Sequence, residues 1–591
     1  MSFADEASAP SRATRIRYLM IAVATLTAVL LYLERVCLSV AAPYIREDLR
    51  LSAQQLNVAI SVFFWAYALG QVPTGWFSDR FGPRRMMVVY LVTWSLFGIL
   101  IALATGFWTF IAARLALGLF QAGAYPTLAI LVKRWVPDHF RGVANSLVAF
   151  GGRFGAAAAN LLTAWMIVWC VPMSTPAEIE PRGILDPTRL VKEVIDEDPA
   201  KSKNLFRPIL AERLRSEFPG DSLAQLRESR ADAEAAFKAA ATATHEGDPP
   251  PLAPPTDAQL HEVVGALNVF IKSRIDLGPL PKEVQLSSDA TAIERKPPAE
   301  RTEQEFQRLN RLLVEKAYPE TIEQLHVAGW RPTLFIFGAA GVLVGVVFWA
   351  VARDWPHEHP GCNEAELALI RGPGEASTEV KRTPPIPWLL LLLSPNMWYS
   401  SLMQFGVNVG WAFIITLFPT YLIQRFQVSI EQAGLMGTMP QVGGCIGMLL
   451  GGWLTDRATK SLGLRWGRGL FLGPLKLLGA VSFAVCPFLD NPWAVAWMLT
   501  FFAFSSDMGI PSTWAFAQDT GGKHVGSVLG WGNMVGNVGA GMSSTLAGWI
   551  LALFPTRWDY VMFVFSGAFL FAAIFGSLMD CRVPLDEEET A

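Results

Sequence analysis

Ionisable residues stand inside long apolar runs, among them Glu34 and Arg35 in the first, Arg114 in the fourth, Arg153 in the fifth and Asp507 in the tenth. Removing charge from water is so costly that such residues are functional candidates by default. Two or three arginines around one cavity favour an anion, because a guanidinium grips a carboxylate or phosphate through paired hydrogen bonds. Tyr32 lies one helical turn before Arg35 and shares its face. A carboxyl group in a low-dielectric cavity can exchange a proton near neutral pH, which makes Glu34 and Asp507 candidates for proton handling. The bland alternative is that acid–arginine pairs neutralise one another and staple helices.

Amides form a second tier. Arg153 and Asn160 share a face of the fifth run, Gln404 and Asn408 a face of the seventh, and Asn533 and Asn537 a face of the eleventh. Inward amides suit the hydroxyl groups of a polar ligand, yet they also glue helices together. Arg153 has no obvious partner nearby in sequence. Asp519, near the end of the tenth run, reads as a cap or gate. His357-Glu358-His359 sits in a Pro-rich loop and is a weak metal signature, so neither metal nor cofactor is expected.

These residues need apolar elements to hold them. The chain has 591 residues, 52% hydrophobic and only 17% charged, against about 25% charged in soluble proteins. The net charge of −3 is no argument for nucleic acid. Six cysteines (Cys37, Cys170, Cys362, Cys445, Cys486, Cys581) are scattered without a CxxC pair, so no disulfide is expected. Twelve runs reach the roughly 20 residues needed to cross a bilayer, at 18–42, 55–77, 85–105, 107–132, 142–170, 332–352, 398–423, 433–455, 469–489, 493–516, 526–553 and 558–579. The first run is too long and too interrupted by charge for a signal peptide, and reads as a retained helix.

An even number of spans puts both termini on one side. With the N-terminus inside, 19 Lys and Arg fall in cytoplasmic stretches, against four (Arg46, Arg50, Arg425, Arg557) in short outer loops. The asymmetry places both termini in the cytoplasm. It also makes the polar segment 171–329, with its proline patch Pro249–Pro255 and Ala/Glu-rich stretches, an extracytoplasmic insertion. The insertion carries no convincing catalytic constellation, so an enzyme is not expected.

Gly75-Trp76-Phe77-Ser78-Asp79-Arg80 returns as Gly452-Trp453-Leu454-Thr455-Asp456-Arg457, 377 positions later. Gly142, Gly155 and Trp165 answer Gly526, Gly539 and Trp549 at a constant offset of 384. Two related six-helix halves follow, an architecture whose binding sites lie at the midplane between repeats. The divisions are 1–170 for helices 1–5, 171–329 for the insertion, 330–353 for helix 6, 354–397 for a cytoplasmic linker and 398–591 for helices 7–12. In Asp79-Arg80-x-Gly82-x-Arg84-Arg85 the glycines permit a tight turn. Asp79 can accept hydrogen bonds from a neighbouring helix N-terminus or an arginine, latching an inner gate. Asp456 and Arg457 form the looser second copy.

These loop motifs, with Arg114-x3-Gly118, resemble the major facilitator superfamily. Tyr32-Leu33-Glu34-Arg35, the stretch from Trp65 to Trp76 containing Tyr67 and Gln71, Phe418-Pro-Thr-Tyr-Leu422 and Arg353-Asp-Trp-Pro356 are similar to its anion:cation symporter branch. The resemblance covers both transmembrane halves and omits the insertion. It implies an all-α membrane protein that carries small organic anions, sugar acids such as hexuronates or aldonates among them, with protons by alternating access. Arg35 and Arg114 would bind the carboxylate, with Tyr32 and Tyr67 lining the site. Glu34 stands where the branch usually carries an aspartate for proton coupling. Gln121 replaces a glutamate that usually shares the proton, and an amide cannot titrate. An organophosphate or inorganic-anion exchanger and a non-transporting sensor are the rival readings. A monomer in a bacterial inner membrane is expected.

Overall fold

The computed structural model describes residues 12–195, 207, 210, 214, 222–241, 253–274, 286–371, 385–428 and 430–585. Among them there is no strand, only an isolated bridge between Ile184 and Ile322, and the regular structure is helical. Nine helical segments among the described residues are long and apolar enough to cross a membrane. A tenth arises if Pro395–Thr416 and Phe418–Phe426, bent by 57°, form one span. This is fewer than the twelve runs of the sequence, for local reasons. Two runs share the single 57-residue segment Gln432–Phe488, inside which Gly463 breaks the helix Ile430–Leu472 at φ 76°. The eleventh run is the helix Val525–Leu553, whose Gly, Ser and Asn residues dilute its apolarity.

Contacts divide the chain into two compact units. The first comprises Met1–Ser39, Gln54–Leu161 and Leu334–Ala591. Within it Pro83–Ala102 packs on Phe107–Gln121, and Pro395–Thr416 packs on Val525–Leu553 and Trp558–Leu578. Lipid tails are as apolar as side chains, so close packing rather than expulsion from water holds such helices together. Phe483 shows how: its ring lies 4.7 Å from Phe502, 5.7 Å from Phe413 and 6.0 Å from both Phe565 and Phe569.

Two apolar runs are broken near their middles. Phe107–Gln121 gives way to Ala124–Trp135 around Gly123, with Pro126 in the next turn. Pro492–Asp507 gives way to Ile510–Thr520 around Gly509, followed by Pro511. Proline lacks the N–H that the preceding turn needs, but it suits the first turn of a new helix.

The second unit comprises Val40–Ala53 and Leu162–Thr333. Its helices Pro187–Ile195, Asp257–Lys272 and Glu303–Ala317 bury Leu190, Val194, Leu267, Phe270, Leu313 and Tyr318 in a core of their own. Thr256 and Thr302 each close a capping box, with Gln259 and Glu305 respectively, a device worth about 1 kcal/mol per helix. Buried Arg308 donates to Asp289 at 2.6 Å and to the carbonyls of Pro172 and Val171 at 3.0 and 3.1 Å, and His326 Nε2 lies 3.1 Å from Asp289. Burial alone would raise the Asp289 carboxyl, but the His326 and Arg308 hydrogen bonds hold it below its ordinary range.

Candidate functional site

The first half supplies a cluster of unmet donors. Arg35 lies over the ring of Tyr67 at 4.3 Å, of Tyr32 at 5.0 Å and of Phe63 at 5.3 Å. Arg114, 3% exposed, lies 4.6 Å over the same Phe63. Arg35 Nε donates to Gln121 Oε1 at 3.3 Å, and Arg114 Nε reaches the Ala59 carbonyl at 3.4 Å. Arg35 Nη2, Arg114 Nη1, Gln121 Nε2 and both amide atoms of Gln71 are buried with no hydrogen-bond partner among the described residues. Each unmet donor costs about 1–3 kcal/mol, and chemically the cluster can take an acceptor. Aromatic faces hold the guanidiniums in place without using their hydrogen-bonding edges. The Gln121 amide oxygen accepts from Arg35 without carrying a proton that can titrate.

Glu34 does not face this cluster. Its carboxylate accepts from Ser95 Oγ at 3.1 Å, in the space left by Gly341 on the helix Trp330–Val351. It is 6% exposed and forms no ion pair among the described residues. Adjacent positions on a helix point about 100° apart, so Glu34 and Arg35 diverge rather than neutralise each other.

Arg153 does have a partner, far away in sequence. Its Nη2 lies 3.0 Å from Asp507 Oδ2, its Nη1 is 3.5 Å from Gln441, and its guanidinium lies 4.0 Å over Trp411. The pair joins the two halves of the unit. An aromatic path runs beside it, with Tyr32 6.2 Å from Tyr125 and Tyr125 4.8 Å from Trp514. The amides make local contacts. Asn537 donates to the Asn533 carbonyl one turn back, Asn160 to Ala156, and Asn408 sits against Gly536, where a Cβ would fall 2.6 Å from its Nδ2.

At one end of the unit the halves are joined by two matching caps. Asp79 accepts from the backbone N–H of Gly526 at 2.9 Å and of Ser527 at 3.0 Å, at the start of the helix Val525–Leu553. Asp456 accepts from Gly142 at 2.8 Å and Val143 at 2.9 Å, at the start of Arg141–Trp169. Each aspartate satisfies orphan N–H groups and complements the positive end of a helix from the opposite half. Close approach needs glycine on both sides: a Cβ at Gly142 would fall 2.7 Å from the Gly452 carbonyl, and Gly75 faces Gly526 likewise. The second copy is not the looser one. Arg468 adds a 3.3 Å contact to Asp456 and a 3.4 Å contact to Asp519, which Arg141 meets at 3.2 Å.

The arginines of the two repeated motifs stay within their own halves. Arg80 stacks on Trp76, Arg457 on Trp453, and Arg84 donates to the Trp349 carbonyl. Asp354 accepts from the Arg84 backbone beside the turn at Gly82, φ 92°. Among the described residues the Arg85 side chain makes no hydrogen bond or ion pair. Sequence reasoning missed two buried features: the reciprocal amide pair Asn145–Gln518, at 2.9 and 3.0 Å, and Lys476. The latter is the lone cation of Pro474–Val485 and donates to the Ser506 carbonyl at 2.5 Å.

An all-helical protein of two related halves, closed at one end by paired carboxylate caps and holding unmet arginines within, has the build of a secondary transporter. The family profile described as Major Facilitator Superfamily matches residues 24–171 and 325–544, and the chain belongs to that family. It is 21% identical over 569 residues to the probable galactarate/D-glucarate transporter GudP of Escherichia coli K12, covering 93% of this chain and 90% of that one. It is 34% identical over 158 residues to the D-galactonate transporter of E. coli O6:H1, covering 26% of this chain and 37% of that one. Among solved structures, the fucose transporter FucP in its outward conformation superposes with a TM-score of 0.55 at 12% identity, covering 96% and 100% of the two chains. The human organic anion transporter MFSD10 gives 0.51 at 12% identity, covering 95% and 99%. These structures share the fold.

Proposed function

We propose that the protein is a secondary active transporter of a sugar acid, an aldarate or aldonate, moved by proton symport through alternating access. The observation that carries this is the set of buried, unmet donors on Arg35 and Arg114 around Phe63. Two guanidinium edges match one carboxylate, and the aromatic faces of Tyr32 and Tyr67 shield them from water. The naming of full-length relatives as galactarate/D-glucarate transporters supports a sugar-acid substrate.

Glu34 is the group for the proton. A buried carboxylate without a cation costs several kcal/mol, and a proton removes that cost. The Lys and Arg asymmetry supports twelve spans in a bacterial inner membrane, with both termini and the Asp79 and Asp456 caps facing the cytoplasm. On that reading the captured state is open to the outside. Residues 171–329 then form an extracytoplasmic elaboration, and 1–170 with 330–353 face 398–591 across the substrate path.

A second reading, exchange without proton coupling, draws on Gln121, whose amide holds Arg35 and cannot titrate. Uptake of radiolabelled D-galactarate, D-galactonate and a sugar phosphate into proteoliposomes, with and without an inward proton gradient, decides between them. Gradient-driven accumulation of a sugar acid is expected. Failure of every organic anion to enter would end the transport reading.

A further inference from the structure

Asp507 is fully buried, and only one of its oxygens is used: Oδ2 takes Arg153, while Oδ1 has no partner among the described residues. It sits in a recess kept open by Gly444, where a Cβ would fall 2.7 Å from Oδ2, and beside Trp411. The charged groups facing it are Arg153 from the other half and Lys476 from its own, with the Cys445 thiol alongside. Lys476 is 2% exposed, attracts Asp507 electrostatically, and spends its ammonium on the carbonyl of the residue immediately before it, Ser506. A lysine buried within an apolar helix needs a stronger reason than one carbonyl.

We infer that Lys476 is the return counter-charge of Asp507, taking its carboxylate when Arg153 withdraws as the two halves part at the capped end. The inference rests on the alternating-access reading. Arg153 and Asp507 belong to halves that must move apart, whereas Lys476 travels with Asp507 on neighbouring helices of one half. In the closed state Asp507 is neutralised by Arg153 and Lys476 waits on Ser506. In the opened state a short swing of a flexible ammonium keeps the buried carboxylate paired, so Asp507 is a lone anion in neither state. Lys476 is a positioning residue: it governs how readily the caps open and does not touch substrate.

The test reads the caps directly and needs no substrate. Hydrogen–deuterium exchange of the full chain in lipid nanodiscs reports segments 141–146 and 525–530, in which Asp456 holds the amides of Gly142 and Val143 and Asp79 those of Gly526 and Ser527. In Lys476→Met the opened state leaves Asp507 unpaired, and exchange in both segments should slow about tenfold. Lys476→Arg should exchange like the parent. Adding Asp507→Asn to Lys476→Met removes the stranded charge and should return exchange to at least the parent rate. Arg153 tolerates this because its side chain keeps 23% exposure. Parental exchange in Lys476→Met, or slowing that the second substitution leaves in place, would overturn the inference. If exchange follows this pattern but no organic anion enters proteoliposomes, the transport reading fails and the counter-charge role stands.

Discussion

Asp79 accepts from Ser527 twice, from its backbone N–H at 3.0 Å and its hydroxyl at 3.1 Å, across 448 positions of chain. Capping residues usually precede the helix they cap. Here the cap belongs to the other half, so the last turn of one repeat and the first turn of its counterpart are one structural unit. Asp456 repeats the arrangement on Gly142 and Val143.

Removing one cap should loosen the closed end without unfolding the protein. Loss of a capping side chain costs about 1 kcal/mol, a roughly fivefold gain in the opened population. In Asp79→Ala the gain should show as faster exchange at 525–530, and in Asp456→Ala at 141–146. Unchanged exchange in both variants would remove the latch.

Arg35 is held by three aromatic faces, so its loss should affect ligand more than folding. Arg35→Ala should lower uptake efficiency by about a hundredfold, the scale of two charge-assisted hydrogen bonds, at normal membrane abundance. Arg35→Lys keeps the charge and loses the fork, and should remain well below the parent. Normal transport by Arg35→Ala would dissolve the proposed site.

Glu34→Gln should uncouple substrate from protons. Counterflow of sugar acid between equal pools should persist, while an inward proton gradient no longer drives accumulation. Accumulation that survives the substitution assigns the proton to another group.

The second unit should weaken in acid. Asp289 is held below its ordinary value of 3.8 in the folded state. Its contribution is therefore complete above that value and is lost as pH falls through the folded one. The protection of Glu303–Ala317 against exchange, relative to the intrinsic rate at each pH, should fall below about pH 4, and Asp289→Asn should flatten the dependence.

Much of this was legible in the sequence, for a physical reason: glycines and charges are scarce in apolar helices and mark places with strict demands. The 384-residue offset that aligns Gly142 with Gly526 picks out the two N–H donors to Asp456 and Asp79. What was not legible is direction. Glu34 and Arg35 are neighbours on one helix, yet one turns to Ser95 and the other to Tyr67. The partner of Arg153 lies 354 positions away, and Lys476 passes for a stray charge until Ser506 and Asp507 are placed beside it. Such pairings depend on tertiary contacts that no local spacing encodes.

Gly329 packs directly against Ile167 and Val171, where a Cβ would fall 3.1 Å from a Val171 methyl. The two ends of the long segment outside the family match, 172–324, therefore meet. Between them hangs a unit with a core of its own, and in its surface turns a doubling of a flexible stretch adds only about 0.6 kcal/mol of chain entropy. The flanking helices Arg141–Trp169 and Trp330–Val351 feel a clasp rather than a tether, whatever is hung beyond it. Chain added in those turns is thermodynamically cheap, because the joint is closed by Gly329 whatever their length.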